Sequence, residues 1–240
     1  MSSTFLYFDA AFTLFRPMPS VGHHYAAVAR GFGVDADAAK LEAAFVPAWR
    51  HARKVAAVTR ELPYGRNRAE AVGFWTVVVE AVFREAGFAA PALESGYYEA
   101  VYDHFEDASC WQLYPDVEPA LALLEAARVP FGILSNFDPR LHKLVAGLGI
   151  GGRMSHVVCS SEAGAEKPDR RIFDHARGLL TPAEAAEPAL VGDEPEADGV
   201  GPLAAGWRQC LVARHGVRGL PEGVVARPGL VEAVELLLGI

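Results

Sequence analysis

Residues 4–14 are TFLYFDAAFTL, and the fold of the whole chain is predicted outward from this segment. The apolar, aromatic run Thr4–Phe8 is typical of a short buried β-strand. Asp9 follows directly, and a carboxylate at the carboxyl end of a buried strand occupies the place where α/β sheets bind their ligands. Asp9 is therefore the first candidate for a nucleophile or a cation ligand, with a turn or helix cap as the structural alternative.

The hydrophobic periodicity of the remaining chain separates two regions. From about Ser20 to Asp107 apolar residues recur at helical spacing, and this predicts helices over 69–83 and 93–105. From Tyr114 onward we predict strands at 129–134, 156–160, 189–191 and 208–213, and helices at 115–127, 141–148, 172–180 and 228–238.

Strands that alternate with helices form a parallel sheet with helices on both faces. We therefore predict an α/β fold with a Rossmann-like core of residues 1–15 and 111–240. An all-helical domain of residues 16–110 is inserted after the first strand.

The composition of the chain argues against nucleic-acid-binding and membrane proteins. The chain has 240 residues, a net charge of −8 and 51% hydrophobic residues, so it can bury a full core and lacks the basic surface that binds nucleic acid. It has no apolar run long enough to span a membrane and no secretory leader pattern. The simplest interpretation is a cytoplasmic protein with no nucleic-acid or membrane partner, either a monomer or a homodimer.

Cysteines and histidines carry no metal signature in the sequence. Cys110, Cys159 and Cys210 are too far apart for a CxxC site or a disulfide framework, so we interpret them as small buried residues. The histidines are scattered, and we interpret them as surface or hydrogen-bonded core residues.

Four polar clusters follow predicted strands, and a parallel sheet would bring them to one edge. They are Asp9 with Thr13, Ser135-Asn136, Lys167, and the acidic loop with Asp193, Glu194 and Asp198. The Ser135 hydroxyl suits an anionic oxygen, or it forms a turn. Lys167 suits a phosphate or the Asp9 carboxylate, or it is a solvated lysine beside Glu166. Asp9 and Asp193 suit Mg²⁺, or the acids form a solvated loop.

The order of these motifs resembles the haloacid dehalogenase superfamily, whose members are mostly phosphatases. Within it, the chain looks most like the branch of the haloacid-dehalogenase-like hydrolase domain-containing protein 3 group. The resemblance covers the whole chain, since the helical insertion corresponds to the family's cap domain between its first and second motifs.

The resemblance implies a role for each residue in hydrolysis of a small phosphorylated substrate. Asp9 would be the nucleophile, and Thr13 and Ser135 would contact the transferring group, with Asn136 beside them. Lys167 would stabilise charge, and Asp198 would orient Lys167 or the metal-bound waters, supported by Glu194. Mg²⁺ would be held by Asp9, the backbone carbonyl of Ala11 and Asp193.

The first motif departs from the family at two positions. Family phosphatases carry a second aspartate two residues after the nucleophile, where it transfers a proton, and here that residue is Ala11. Phe12 stands in place of the usual glycine. Loss of general acid–base help typically costs about 10²–10⁴-fold in rate.

Three functions therefore stay open at the level of sequence. The first is a Mg²⁺-dependent phosphohydrolase that is slow or suited to a good leaving group. The second is carbon-centred chemistry, either a dehalogenase, which works without a metal, or a phosphonatase-like hydrolase that would need Lys40 or Lys54 for a Schiff base. The third is a non-catalytic protein that binds phosphate or metal.

Overall fold

The computed structural model describes residues 4–59, 62–214, 216 and 219–240, and the chain divides into two compact units. The first, called the core unit, is built from the chain up to Arg16, Leu113–Phe137 and Gly149–Ile240. The second, called the helical unit, contains Pro17–Gln112 and Asp138–Leu148. The domain boundaries predicted above stay a prediction. This division differs from them by placing residues 111–112 and 138–148 in the helical unit and Arg16 in the core unit.

The secondary structure follows the chain in this order. The strands are β1 (Leu6–Phe8), β2 (Phe15–Pro17), β3 (Trp111–Leu113), β4 (Phe131–Ser135), β5 (Val157–Cys159), β6 (Ala189–Gly192), β7 (Arg208–Val212) and β8 (Ala226–Arg227). The helices are α1 (Val21–Gly31), α2 (Ala38–Thr59), α3 (Arg68–Glu85), α4 (Tyr97–His104), α5 (Val117–Ala127), α6 (Arg140–Gly147), α7 (Ser160–Ala163), α8 (Arg170–Gly178), α9 (Gly201–Ala204) and α10 (Leu230–Leu238).

The core unit is organised around a parallel sheet in the order β5-β4-β1-β6-β7-β8. Strands β1, β4 and β6 are buried along their whole length, as expected when helices cover both faces of a parallel sheet. The predicted fold class is confirmed. A separate two-stranded sheet pairs β2 with β3.

The order of the strands fixes where a ligand can bind. From β1 the chain continues to β4 and β5 on one side, and it then returns to β6 on the other side of β1. The strand order therefore reverses between β1 and β6, and α/β sheets bind ligands at the carboxyl ends of strands where this reversal occurs.

Each unit has its own apolar core. In the core unit Phe5, Tyr7, Phe173 and Trp207 belong to one buried cluster. The helical unit buries a larger aromatic cluster that includes Tyr25, Phe45, Phe74, Phe83 and Tyr97. Burial of large aromatic side chains is a dominant stabilising term in such cores, which is why each unit holds together as a compact body.

Local geometry changes some predicted boundaries. The helix predicted over 93–105 is divided, because Gly96 has a φ of 80° and separates a 3₁₀ turn at Leu93–Ser95 from α4. Conversely, α2 continues through Pro47, a residue that usually ends or kinks a helix. Strands β2, β3 and β8 were not predicted, since none of them is a continuous buried apolar run like β1.

Every helix in the described part of the chain is too short or too polar to span a bilayer.

Candidate active site

Asp9 lies immediately after β1, the central strand at the reversal of strand order. Its backbone amide donates a hydrogen bond to the carbonyl of Val191 in β6 over 2.8 Å, which extends the strand pairing to the nucleophile candidate. Ser135 ends the neighbouring strand β4, and Asp193 follows β6. The parallel sheet thus brings three of the predicted site residues to one edge.

Lys167 joins Asp9 to the acidic loop. Its ammonium Nζ donates to Asp9 Oδ1 over 2.7 Å and to Asp198 Oδ1 over 2.6 Å. Only 1% of the Lys167 side chain is exposed, so both ion pairs are shielded from water. The solvated-lysine alternative for Lys167 is therefore wrong.

Asn136 holds the backbone that carries this lysine. Its side-chain Nδ2 donates to the Lys167 carbonyl over 2.8 Å, and its Oδ1 accepts from the Lys167 amide over 2.7 Å. Two hydrogen bonds in opposite directions fix both the position and the orientation of one peptide segment. The geometry gives Asn136 a positioning contact to Lys167.

Asp198 is fully occupied by protein partners. Its Oδ2 accepts hydrogen bonds from the backbone amides of Asp193 and Glu194, over 3.1 and 3.0 Å, while Oδ1 receives Lys167. The close approach requires Gly192, because a Cβ at that position would overlap the Asp198 carboxylate. The contact of Glu194 with this network is made by its backbone amide.

Asp193 completes the carboxylate group at this edge. Its Oδ1 accepts a hydrogen bond from the Thr13 hydroxyl over 3.0 Å, and Thr13 is fully buried. Asp9, Asp193 and Asp198 each place a carboxylate oxygen within 4.8 Å of the others. Three acids therefore meet one ammonium, and the local charge with all groups ionised is negative.

The pKa values reflect this crowding. Burial raises the pKa of Asp9 to about 6, against the opposing effect of Lys167 and a hydrogen bond from Ser135. Burial, and then the Asp9 and Asp198 carboxylates, raise the pKa of Asp193 well above its ordinary value. Burial disfavours the Lys167 ammonium, but Asp198 and Asp9 outweigh it, so the pKa of Lys167 is raised and it stays charged.

The donor set fits a divalent cation. The Asp9 and Asp193 carboxylates both have raised pKa values, and among the contacts given for the described residues none joins Asp193 to a cationic side chain. A hard, oxygen-seeking ion such as Mg²⁺ would supply positive charge there. Asp9 and Asp193 are the side chains that suit this role. Asp198 does not, because both of its oxygens are engaged by protein donors.

The loop after Asp9 contains Ala11, whose backbone carbonyl is the third predicted ligand of the ion. Ala11 forms a parallel bridge with Phe15 whose hydrogen bonds use the Ala10 carbonyl and the Phe12 amide. Neither bond engages the Ala11 carbonyl. Phe12 has a φ of 67° and is 42% exposed, so a phenylalanine occupies the left-handed conformation that glycine adopts without strain.

Two residues that support this loop were missed by the sequence analysis. Arg214 Nη2 donates to the Thr13 carbonyl over 2.9 Å, and its Nη1 forms an ion pair with Asp116. Asp116 also accepts from the Leu230 amide over 2.8 Å, so it links two segments of the core unit. The available signal was the position of Arg214 just beyond β7, at the same sheet edge.

Comparisons with known proteins agree with the fold. A family model for haloacid dehalogenase-like hydrolases matches residues 20–206. The chain is 31% identical to haloacid dehalogenase-like hydrolase domain-containing protein 3 from Bos taurus over 208 residues, which cover 87% of this chain and 81% of the relative. The protein belongs to the haloacid dehalogenase-like hydrolase family.

Further relatives and solved structures carry both phosphatase and dehalogenase names. Phosphoserine phosphatase from Thermus thermophilus is 34% identical over 169 residues, covering 70% of this chain and 66% of that protein. The HAD hydrolase YfnB from Bacillus subtilis, solved with magnesium, shares 17% identity and a TM-score of 0.71 over 99% of both chains. The L-2-haloacid dehalogenase RSc1362 shares 19% identity and a TM-score of 0.72 over 99% of this chain and 100% of that one. These two structures are similar in fold.

Proposed function

We propose that the protein is a Mg²⁺-dependent phosphohydrolase that acts on a small phosphorylated metabolite, with Asp9 as the nucleophile. One observation carries the proposal: the Asp9 carboxylate lies at the reversal of strand order, bonded to the buried ammonium of Lys167 and beside the Asp193 carboxylate. A nucleophile, a fixed positive charge and a carboxylate suited to a cation are the parts that phosphoryl transfer requires.

The family relationship and the chemistry of the donors support this proposal. Phosphatases occur among the curated relatives, and magnesium is named in a solved structure of the same fold. Mg²⁺ would be held by Asp9, Asp193 and the Ala11 carbonyl. When bound, it would neutralise phosphate charge beside the nucleophile.

The reaction divides into two displacements at phosphorus. A carboxylate oxygen of Asp9 forms a bond to phosphorus while the ester P–O bond breaks, and the leaving oxygen carries away the electron pair. Water then attacks the phosphoaspartyl phosphorus and releases inorganic phosphate and the free Asp9 carboxylate. Lys167 stabilises the added negative charge, and the Ser135 hydroxyl, which donates to Asp9, would turn to the transferring group. The Thr13 hydroxyl is already donated to Asp193, so it would hold that carboxylate in place beside the reaction.

Ala11 sets the substrate preference within this proposal. Its methyl side chain transfers no proton, so the leaving oxygen takes its proton from solvent or departs as the anion. Substrates whose leaving group has a low conjugate-acid pKa, such as aryl phosphate esters or acyl phosphate anhydrides, need the least protonation. We therefore assign the enzyme to good leaving groups and expect slow turnover of alkyl phosphates.

A non-catalytic role in binding phosphate and metal is the second candidate, and Ala11 is the observation that favours it. Phosphonatase-like chemistry is not favoured, because Lys40 and Lys54 are both exposed and a Schiff-base lysine is activated by a desolvated pocket. Metal-free dehalogenation makes no use of the Asp193 carboxylate. A cap function for the helical unit and a cytoplasmic location belong to the same proposal.

Hydrolysis of aryl and alkyl phosphates with Mg²⁺ tests the proposal, comparing wild type with Asp9→Asn. Asp35→Asn, at an exposed acid of the helical unit, is the matched control. We expect turnover in wild type and in the control, loss in Asp9→Asn, and loss in wild type with a chelator. A phosphoryl adduct on the Asp9 peptide, detected by mass spectrometry after acid quench, would identify the intermediate.

Other results of the same measurements would support one of the alternative functions. Tight Mg²⁺ and phosphate binding without turnover would establish the binding role. Halide release that survives the chelator, or a lysine adduct trapped by borohydride, would establish carbon-centred chemistry instead.

A further inference from the structure

The helical unit contains a second group of metal-ligating side chains, made by His24, His104 and Cys110. The Nδ1 of His24 lies 2.9 Å from Nε2 of His104, and Cys110 Sγ lies 3.4 Å from the same Nε2. His24 and Cys110 are buried, while His104 is partly exposed. The three residues come from α1, the end of α4 and a 3₁₀ turn at Ala108–Cys110, so the fold assembles a cluster that their sequence spacing conceals.

The hydrogen bonds of His24 indicate that the lone pair of its Nδ1 faces this cluster. Its Nε2 lies 3.0 Å from the Met18 carbonyl, which can only accept, so Nε2 carries the proton. In the neutral ring Nδ1 is then the unprotonated nitrogen, and it faces His104. A histidine fixed by a backbone carbonyl at one nitrogen is the usual arrangement around a metal-ligating imidazole.

Two of the three donor-atom separations are close to those around a tetrahedral ion, and all three ligand atoms lie within 4.8 Å of one another. With Zn–N near 2.0–2.1 Å and Zn–S near 2.3 Å, tetrahedral ligands lie about 3.3 Å apart for two nitrogens and about 3.6 Å for nitrogen and sulfur. The observed 2.9 and 3.4 Å are shorter by a few tenths of an ångström. Small rotations of the side chains would open the cluster to the size of the ion.

We propose that His24 Nδ1, His104 Nε2 and Cys110 Sγ form an open, three-ligand Zn²⁺ site within the helical unit, distinct in its residues from the carboxylates of the core unit. Two imidazoles and a thiolate are ligands that Zn²⁺ prefers, and water would supply the fourth position on the exposed side of His104. Binding replaces the S–H bond of Cys110 with a Zn–S bond and releases that proton to solvent. His104 keeps one proton, which moves to Nδ1 when Nε2 binds the metal.

The surroundings of the cluster agree with this role. The ring of Phe105 lies 5.2 Å from that of His24, and apolar walls of this kind limit solvent at a metal. Burial lowers the pKa of both His24 and His104, which leaves them neutral as ligands must be. Burial raises the pKa of the Cys110 thiol, so in the metal-free protein it is a thiol that the metal deprotonates.

A Co²⁺ titration of the untagged, metal-free chain tests the site, because cobalt replaces zinc and is visible. We expect one equivalent to produce a thiolate-to-cobalt charge-transfer band with tetrahedral d–d bands, and Zn²⁺ to displace both. Cys110→Ser and His104→Gln should abolish the charge-transfer band. His23→Gln, at the exposed neighbour of His24, and Asp193→Asn, at the core unit, should leave it unchanged.

X-ray absorption of the zinc-loaded wild type gives a readout that needs no variant. One sulfur near 2.3 Å with two imidazole nitrogens supports the site. Oxygen-only coordination, a charge-transfer band that persists in folded Cys110→Ser, or the absence of any sulfur band with excess Co²⁺ would overturn it. In those cases the three residues are a hydrogen-bonded packing cluster only.

Discussion

Lys167 and Asp198 form an ion pair 2.6 Å long in which 1% and 2% of the respective side chains are exposed. The pair connects the rest of the site, since Asp198 accepts hydrogen bonds from two backbone amides and Lys167 donates from the same ammonium to Asp9. A buried charge of this kind is stable only while its partners are present.

Removal of the Lys167 charge should therefore destabilise the folded protein. In Lys167→Met the Asp9 and Asp198 carboxylates stay buried without their cation, so we expect a loss of about 3–5 kcal/mol in the free energy of unfolding at pH 7. Urea denaturation measures it. Lys143→Met is the control, since Lys143 forms an exposed pair with Glu106 that should contribute less than about 1 kcal/mol. Equal effects of the two variants would contradict the buried network.

The stability of the metal-free protein should depend on pH with a defined sign. The pKa of Asp9 is about 6 in the folded protein against 3.8 ordinarily, and the pKa of Asp193 is also raised. The folded state then binds more protons than the unfolded state between about pH 4 and 6, so unfolding free energy falls as pH rises through this range. The raised pKa of Lys167 changes the free energy of unfolding only at alkaline pH, where this lysine titrates.

Urea denaturation from pH 4 to 8 in chelator checks this slope. Asp193→Asn should raise the free energy of unfolding at pH 7 and have little effect at pH 4, because the repulsion it relieves exists only when Asp193 is ionised. Asp35→Asn, at an exposed position, should change neither value. Mg²⁺ should stabilise wild type more at pH 7 than at pH 5. A flat profile would contradict the carboxylate crowding.

An acid restored at position 11 should raise the rate of phosphate ester hydrolysis. Ala11→Asp would place a proton donor beside the leaving group, and we expect a gain of about 10²–10⁴-fold on alkyl phosphates with a smaller gain on aryl phosphates. Ala11→Asn is the matched control, because it has the same shape and transfers no proton. Steady-state kinetics of both variants on alkyl and aryl phosphates measure the difference. Equal rate gains in Ala11→Asp and Ala11→Asn would refute proton transfer as the cause.

Phe12 should be a site of backbone strain. A non-glycine residue at a φ of 67° costs roughly 1–2 kcal/mol, so Phe12→Gly should recover part of that cost. Phe12→Ala removes the same ring but keeps the Cβ, and we expect it to show no such gain. Thermal denaturation compares them. If Ala stabilises as much as Gly, the effect comes from the exposed ring and not from the backbone.

Much of the fold follows from local pattern. Short apolar runs such as Phe131–Ser135 and Ala189–Gly192 are buried strands, and their alternation with helices requires a parallel sheet. That topology alone predicts that Asp9, Ser135 and Asp193 share one edge. The helix at 93–105 was wrong in detail, because the left-handed Gly96 interrupts it and composition does not reveal φ.

Which contacts are made at that edge was decided by packing across long sequence separations. The sequence places Lys167 on a loop, and the family resemblance implies contacts of its ammonium with Asp9 and Asp198. Neither reveals that the Asn136 side chain holds the Lys167 backbone through two hydrogen bonds. The approach of His24 to His104 and Cys110 is likewise invisible along the chain. Hydrophobic period reports which face of an element is buried, whereas side-chain contacts between distant segments depend on how the elements pack.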